Sequence, residues 1–205
     1  MTSAFFISAF ITLFVVIDPV GLGPVFAGLT GGMDAATRRR VGAEASLIAF
    51  GLLAGSALFG NWLLTHLGIS LAAFRIAGGL LLFAIAFEMV FERRIQRKAS
   101  QSGQPGAASI AAFPLAIPLM AGPGAITAMI LLGSRMNGSI AGLAILIAIM
   151  GIMMVACNLV FLAAAPLEKL LGSQGQAVLG RLLGVLLAAL AVQYVADGVL
   201  ALAHR

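Results

Sequence analysis

Charge is scarce in this chain. Asp, Glu, Lys and Arg make up 9% of its 205 residues, while 61% are hydrophobic and the mean hydropathy is +1.12. Uncharged stretches run from Ala45 to Phe74, Ala99 to Ser134 and Met136 to Leu167, each longer than the roughly 20 residues that cross a bilayer. No soluble domain of this size buries so much apolar surface, so a membrane protein is expected. Cysteine is scarcer still: Cys157 stands alone, and the two histidines, His66 and His204, are distant in sequence. That excludes a disulfide framework, a C-x-x-C redox pair and a Cys/His metal cluster. H-E-x-x-H, G-x-S-x-G and the Gly-x-x-x-x-Gly-Lys-Ser/Thr phosphate loop are all missing, and nothing pairs a nucleophile with a base. An enzyme, a resident metal or cofactor, and ATP-driven work in this chain are therefore not expected. The net charge of +5 resides mostly in loop Arg and Lys, which speaks to membrane topology and not to nucleic acid.

What the chain does have is apolar segments, at about 4–29, 41–65, 69–92, 109–133, 139–165 and 176–203. These are expected as six helices of one all-α polytopic transmembrane domain over 1–205. The first lacks a signal peptide's basic flank and cleavage site, and is expected to stay as mature structure. Residues 93–106, polar and rich in Ser, Gly and Gln, read as a linker between a three-helix repeat over 1–92 and another over 107–205. Arg38, Arg39, Arg40, Arg93, Arg94, Arg97, Lys98 and Lys169 fall in loops one, three and five, against Arg135 and Arg205 on the other side. The positive-inside rule then makes the linker cytoplasmic and places both termini outside the cytoplasm.

Polar, helix-breaking inserts interrupt two of these segments. Pro19, Gly23 and Pro24 recur 99 positions later as Pro118, Gly122 and Pro123, so both halves carry Pro-x-x-x-Gly-Pro inside an apolar span. Proline removes a backbone donor and glycine tolerates unusual angles, so helices 1 and 4 are expected to break there. Bare carbonyls and N–H groups at membrane depth are tolerated only where protein or a water-filled cavity satisfies them. A second pair, Arg75-x-x-Gly78-x-Leu80-Leu81 and Arg181-x-x-Gly184-x-Leu186-Leu187, repeats in the same order. Three spans per half is an odd number, which turns the second copy upside down: an inverted repeat, as many secondary transporters use.

Asp18-Pro19-Val20-Gly21-Leu22-Gly23-Pro24-Val25-Phe26 and Phe113-Pro114-Leu115-Ala116-Ile117-Pro118-Leu119-Met120-Ala121-Gly122-Pro123-Gly124-Ala125-Ile126 resemble the two signature segments of the MarC family. The resemblance extends over essentially the whole chain, including Arg75-Ile76-Ala77-Gly78-Gly79 at the start of the third helix. It implies a protein of the bacterial-type inner membrane, related to transporters of small neutral amino acids such as alanine and glycine. The family's association with antibiotic resistance leaves export of other small hydrophobic solutes or drugs as the alternative. A non-transporting accessory protein is a third.

Asp18 is the only acid expected near the bilayer centre, where a carboxylate is costly and a functional candidate by default. It is also placed to cap a half-helix starting at Pro19, and the two roles are compatible. As a functional group it would be the proton or sodium carrier. Gly21, Gly23 and Pro24, with Gly122, Pro123 and Gly124, are expected to bring backbone and half-helix N-termini to a substrate carboxylate. Close helix packing is the plainer account of glycines in such helices. Asn158, and Gln193 with Tyr194, would line a cavity or serve as interhelical hydrogen-bonding glue. The expected partners are a neutral amino acid, a proton or sodium ion and membrane lipid, with no nucleic acid; a homo-oligomer is left open.

Overall fold

The computed structural model of the protein describes residues 3–91, 110–136 and 138–203. The linker expected over 93–106, with its four basic residues, lies outside the described residues, as do His204 and Arg205. Among the described residues every regular element is helical: α1 (Ser3–Ile17), α2 (Pro19–Leu29), α3 (Ala35–His66), α4 (Leu71–Val90), α5 (Ala111–Met120), α6 (Pro123–Ser134), α7 (Ile140–Leu162) and α8 (Ala164–Ala203). Five stretches of the described residues are long and apolar enough to cross a membrane, with α1 and α2 running on as Phe5–Leu29, and a sixth follows if the pair α5 and α6, bent by 58°, counts as one. Ile7, Leu47, Phe59, Trp62, Leu80, Ile140 and Leu159 stand exposed around the bundle. So many large apolar side chains on the outside of a protein match lipid and not water as the surrounding solvent.

Caps decide where the helices begin. Asp34 accepts from the N–H groups of Ala36 and Thr37 and from the Thr37 hydroxyl, and the Thr37 hydroxyl foremost holds its carboxyl below the ordinary range. Because this cap precedes the basic cluster, α3 starts at Ala35 and not near residue 41, and Arg38, Arg39 and Arg40 lie within the helix and not in a loop. Ser70 and Ser139 cap α4 and α7 in the same way. The stretch around Lys169, expected as a loop, is helical backbone from Ala164 onward. It turns at Gly172, whose φ of 60° only glycine adopts without strain.

Notches left by glycine set the helix contacts. Gly198 lies against Ala72 and Ile76, Gly79 against Ala191 and Val195, and Gly184 against Ala86 and Met89, so α4 and α8 run antiparallel over most of their common length. Likewise Gly42 meets Asn158 and Phe161 while Gly151 meets Phe50, which makes α3 and α7 antiparallel. Without a hydrophobic drive between helices in lipid, such close backbone approach is what dispersion forces require. The broken pieces fill the middle: α5 and α6 pack on α3, α1 and α2 on α7, α6 on α4 and α2 on α8.

Candidate functional site

Both Gly/Pro inserts break their helices, but at different points. In the first half the break is one residue, Asp18, whose φ of 54° and ψ of 65° put it in the left-handed region, a conformation Asp tolerates better than most side chains. Pro19 follows as the first helical residue, where its missing N–H is harmless. The Asp18 carboxylate folds over the new helix start, with Oδ1 accepting from the Gly21 N–H at 3.0 Å. A Cβ at Gly21 would run into that carboxylate, so glycine is what lets the acid sit there. Asp18 is 5% exposed.

The expected break at Gly23-Pro24 is corrected: both residues sit inside α2, Gly23 buried and Pro24 half-buried. The helix restarts at Pro19 because Asp18 supplies the cap, and one further proline does not end a helix already under way. Pro19 and Pro24 still cannot donate to the carbonyls four residues back, at Val15 and Val20, which leaves acceptors in need of partners on both sides of the acid.

The break in the second half has no carboxylate. Phe113 and Ile117, each preceding a proline, are extended in the midst of α5, as steric conflict with the proline ring demands. The Phe113–Pro114 and Ile117–Pro118 peptides are cis. The helix begins again at Pro123, with Gly122 at its cap position in extended conformation and no side chain satisfying the first N–H groups. A Cβ at Gly122 would stand 2.6 Å from the Pro118 carbonyl oxygen, so the turn closes only around glycine. Pro123 is exposed. Gly124 is a packing residue: a Cβ there would meet Leu82 Cδ2 at 2.8 Å and Ile85 Cδ1 at 2.9 Å, and Val16 Cγ1 at 3.5 Å.

That last contact brings the two breaks side by side, since Val16 lies two residues before Asp18 and Gly124 two after Gly122. A buried carboxylate and freed carbonyls on one chain segment thus adjoin an uncapped helix start on another. The arrangement can hold a cation at the acid and an anion at the N–H groups of α6. Asn158 does not join it. Its Nδ2 donates to Ser46 Oγ at 2.8 Å across α3 and α7, an interhelical hydrogen bond. Gln193 donates to Asp197 on its own helix, and the Tyr194 hydroxyl pairs with Thr12. Arg75 is half-buried, and its Nε is buried with no hydrogen-bond partner.

Sequence reasoning passed over Ser46 and Thr127. Thr127 is buried in the notch of Gly78, and a hydroxyl inside an apolar span was the available signal for both. It also passed over the stacked rings of Phe26 and Phe161, with centroids 4.4 Å apart.

Comparison with known proteins sharpens the picture. The family model described as MarC family integral membrane protein matches residues 3–203. A UPF0056 membrane protein of Archaeoglobus fulgidus is 36% identical over 197 residues, covering 95% of this chain and 92% of that one. The UPF0056 membrane protein YhcE of Escherichia coli is 36% identical over 193 residues, 93% and 89% of the two chains. YvbG of Bacillus subtilis, also a UPF0056 membrane protein, is 32% identical over 202 residues, 97% and 95%. No solved structure matches. With its family model covering nearly every residue and its relatives matching end to end, the chain belongs to the MarC family of integral membrane proteins.

Proposed function

We propose that this protein is a secondary transporter of small neutral amino acids, alanine or glycine in size, driven by a proton or sodium gradient. The observation that carries it is the contact of the two helix breaks, with the buried Asp18 in one and the uncapped start of α6 in the other. A zwitterion matches that inventory: its ammonium suits Asp18 and the carbonyls freed by Pro19 and Pro24, its carboxylate the N–H groups at Gly122 and beyond. Apolar neighbours such as Val16, Leu82 and Ile85 leave little space for a large or charged side chain. Asp18 would exchange the coupling ion. We infer a carrier and not an enzyme, since Cys157 is buried in the bundle with no base beside it in sequence.

The reading includes six crossings arranged as two inverted repeats. Parity supports it: α4 antiparallel to α8, and α3 antiparallel to α7, favour counting the bent pair α5 and α6 as one crossing over a re-entrant loop. The contacts support it too, because exchanging the halves exchanges α3 on α5 and α6 for α7 on α1 and α2, and α4 on α6 for α8 on α2. The resemblance to the MarC family implies an inner or plasma membrane, and the basic residues favour both termini outside the cytoplasm. Proteoliposomes test the function: labelled alanine or glycine should accumulate under an imposed proton or sodium gradient, and failure with both gradients removes the reading.

One feature favours a second reading, export of a hydrophobic solute. Between α1 and α8 lies an apolar groove of about 440 Å³, lined by Ile7, Ile11, Val15, Leu186 and Leu190 with the hydroxyls of Ser8 and Thr12. Movement of a drug dye by liposomes that accumulate no amino acid would put this reading in place of the first.

A further inference from the structure

A cavity of about 190 Å³ lies where α2 ends, α3 begins and α7 ends, lined by Phe26, Arg38, Arg39, Gly42, Asn158 and Phe161 among others. It is separate from the helix breaks: Phe26 follows Asp18 by eight residues of α2, or about 12 Å along a helix axis. The space exceeds what one water needs, and its two charged lining residues, Arg38 and Arg39, are both basic. Arg38 places its guanidinium 5.7 Å from the centroid of the Phe26 ring, which itself stacks on Phe161; both rings are 2% exposed. A cation resting on an aromatic face is held in place without being neutralised.

The carboxylates nearby are already engaged. Asp34 is folded onto its own helix start through Ala36 and Thr37, and Glu44 pairs with Arg40 at 2.7 Å. Among the described residues, no carboxylate pairs with Arg38 or Arg39. Asn158 adds an amide whose Nδ2 carries a second hydrogen beyond the one given to Ser46, and Gly42 lies against it without a side chain: a Cβ would stand 3.3 Å from Asn158 Oδ1 and 3.3 Å from Phe161 Cδ2. Two guanidinium forks and an amide over an apolar wall at the end of a helix bundle have the chemistry that recognises phosphate.

We propose that this cavity binds a phosphate group, held by Arg38 and Arg39 with Asn158 beside them, whose organic portion rests on the wall formed by Phe26 and Phe161. A lipid headgroup and a soluble phosphate share that chemistry. Basic pockets between helices at the membrane surface commonly hold the former.

The test uses the purified full-length protein, freed of lipid in detergent, with thermal unfolding followed while inorganic phosphate or phosphatidylglycerol is titrated in. A saturable rise in the midpoint is expected with at least one of the two probes. Saturation by inorganic phosphate identifies a soluble ligand; saturation only by the lipid identifies a headgroup. The Arg38→Gln/Arg39→Gln variant should raise the half-saturating concentration roughly tenfold or more, the scale of losing charge-assisted hydrogen bonds. Arg40→Gln removes the same charge from the same helix turn but from the arginine paired with Glu44, and should leave the titration unchanged. Arg39 is exposed, so its single variant serves if the double variant does not fold. Absence of saturation with both probes overturns the proposal, as does an Arg40→Gln shift equal to that of the Arg38/Arg39 variants, which would mean diffuse attraction by surface charge.

Discussion

The two helix breaks have nearly the same sequence pattern and are built differently. At the first, one left-handed residue separates α1 from α2, and that residue caps the helix it precedes. At the second, α5 and α6 meet at 58°, and the restart is capped by nothing. The prolines align, Pro19 with Pro118 and Pro24 with Pro123, yet the helix begins on the first proline of one pair and the second of the other. The difference follows from the residue before the first proline: Asp18 in one half, Ile117 in the other. Asp offers an oxygen to the orphan N–H groups of a new helix, whereas Ile offers none and stays extended. The chain in the second half therefore runs on until Gly122 allows a tight turn and Pro123 starts the helix. What results is a pair of unlike ends, a break capped by its own acid beside one whose N–H groups lack a cap.

The comparison can be tested by removing what distinguishes each break. Asp18→Asn has the largest expected effect. Asn caps and tolerates the left-handed region about as well as Asp, so the variant should insert and melt normally. It cannot ionise, and gradient-driven uptake should fall by at least about tenfold, as for loss of an intramembrane ion carrier. Uptake that keeps its pH or sodium dependence would reduce Asp18 to a cap.

Gly122→Ala comes next. The Cβ meets a backbone carbonyl that no rotamer change can move, and overpacking of this kind costs about 1–3 kcal/mol. A clear drop in the detergent unfolding midpoint is expected; an unchanged midpoint would show that the second turn is slack.

Gly21→Ala should be milder, because its Cβ meets the tip of a side chain and Asp18 can swing aside at the loss of its cap, about 1 kcal/mol. If Gly21→Ala also abolishes uptake while Asp18→Asn does not, the space above the first turn matters and the charge does not.

Ser46→Ala, outside both breaks, is expected to be the smallest, about 0.6 kcal/mol for one interhelical hydrogen bond in a membrane. It should leave uptake intact. A transport defect from Ser46→Ala would bring Asn158 back into the substrate path, against its place in the contact between α3 and α7.

The sequence by itself determined the membrane class, the positions of the long apolar helices and the existence of the two breaks. Each follows from residue type and local chain geometry: apolar length, missing proline donors and glycine freedom act within a few residues and need no tertiary partner. It also contained the cap at Asp18, because Asp before Pro at a helix start is a local signal. Which proline restarts each helix was decided by the fold, and so was the corrected role of Gly23 and Pro24, since a proline inside a helix is tolerated or not according to what surrounds it. Tertiary structure alone decided that Gly124 packs on Leu82 and Ile85 while touching Val16, that Asn158 finds Ser46 112 residues away, and that Arg38 and Arg39 reach a cavity walled by Phe26 and Phe161. Contacts between distant segments depend on how the helices cross, and a helix in a uniformly apolar span shows no periodic stripe from which its facing partner can be read.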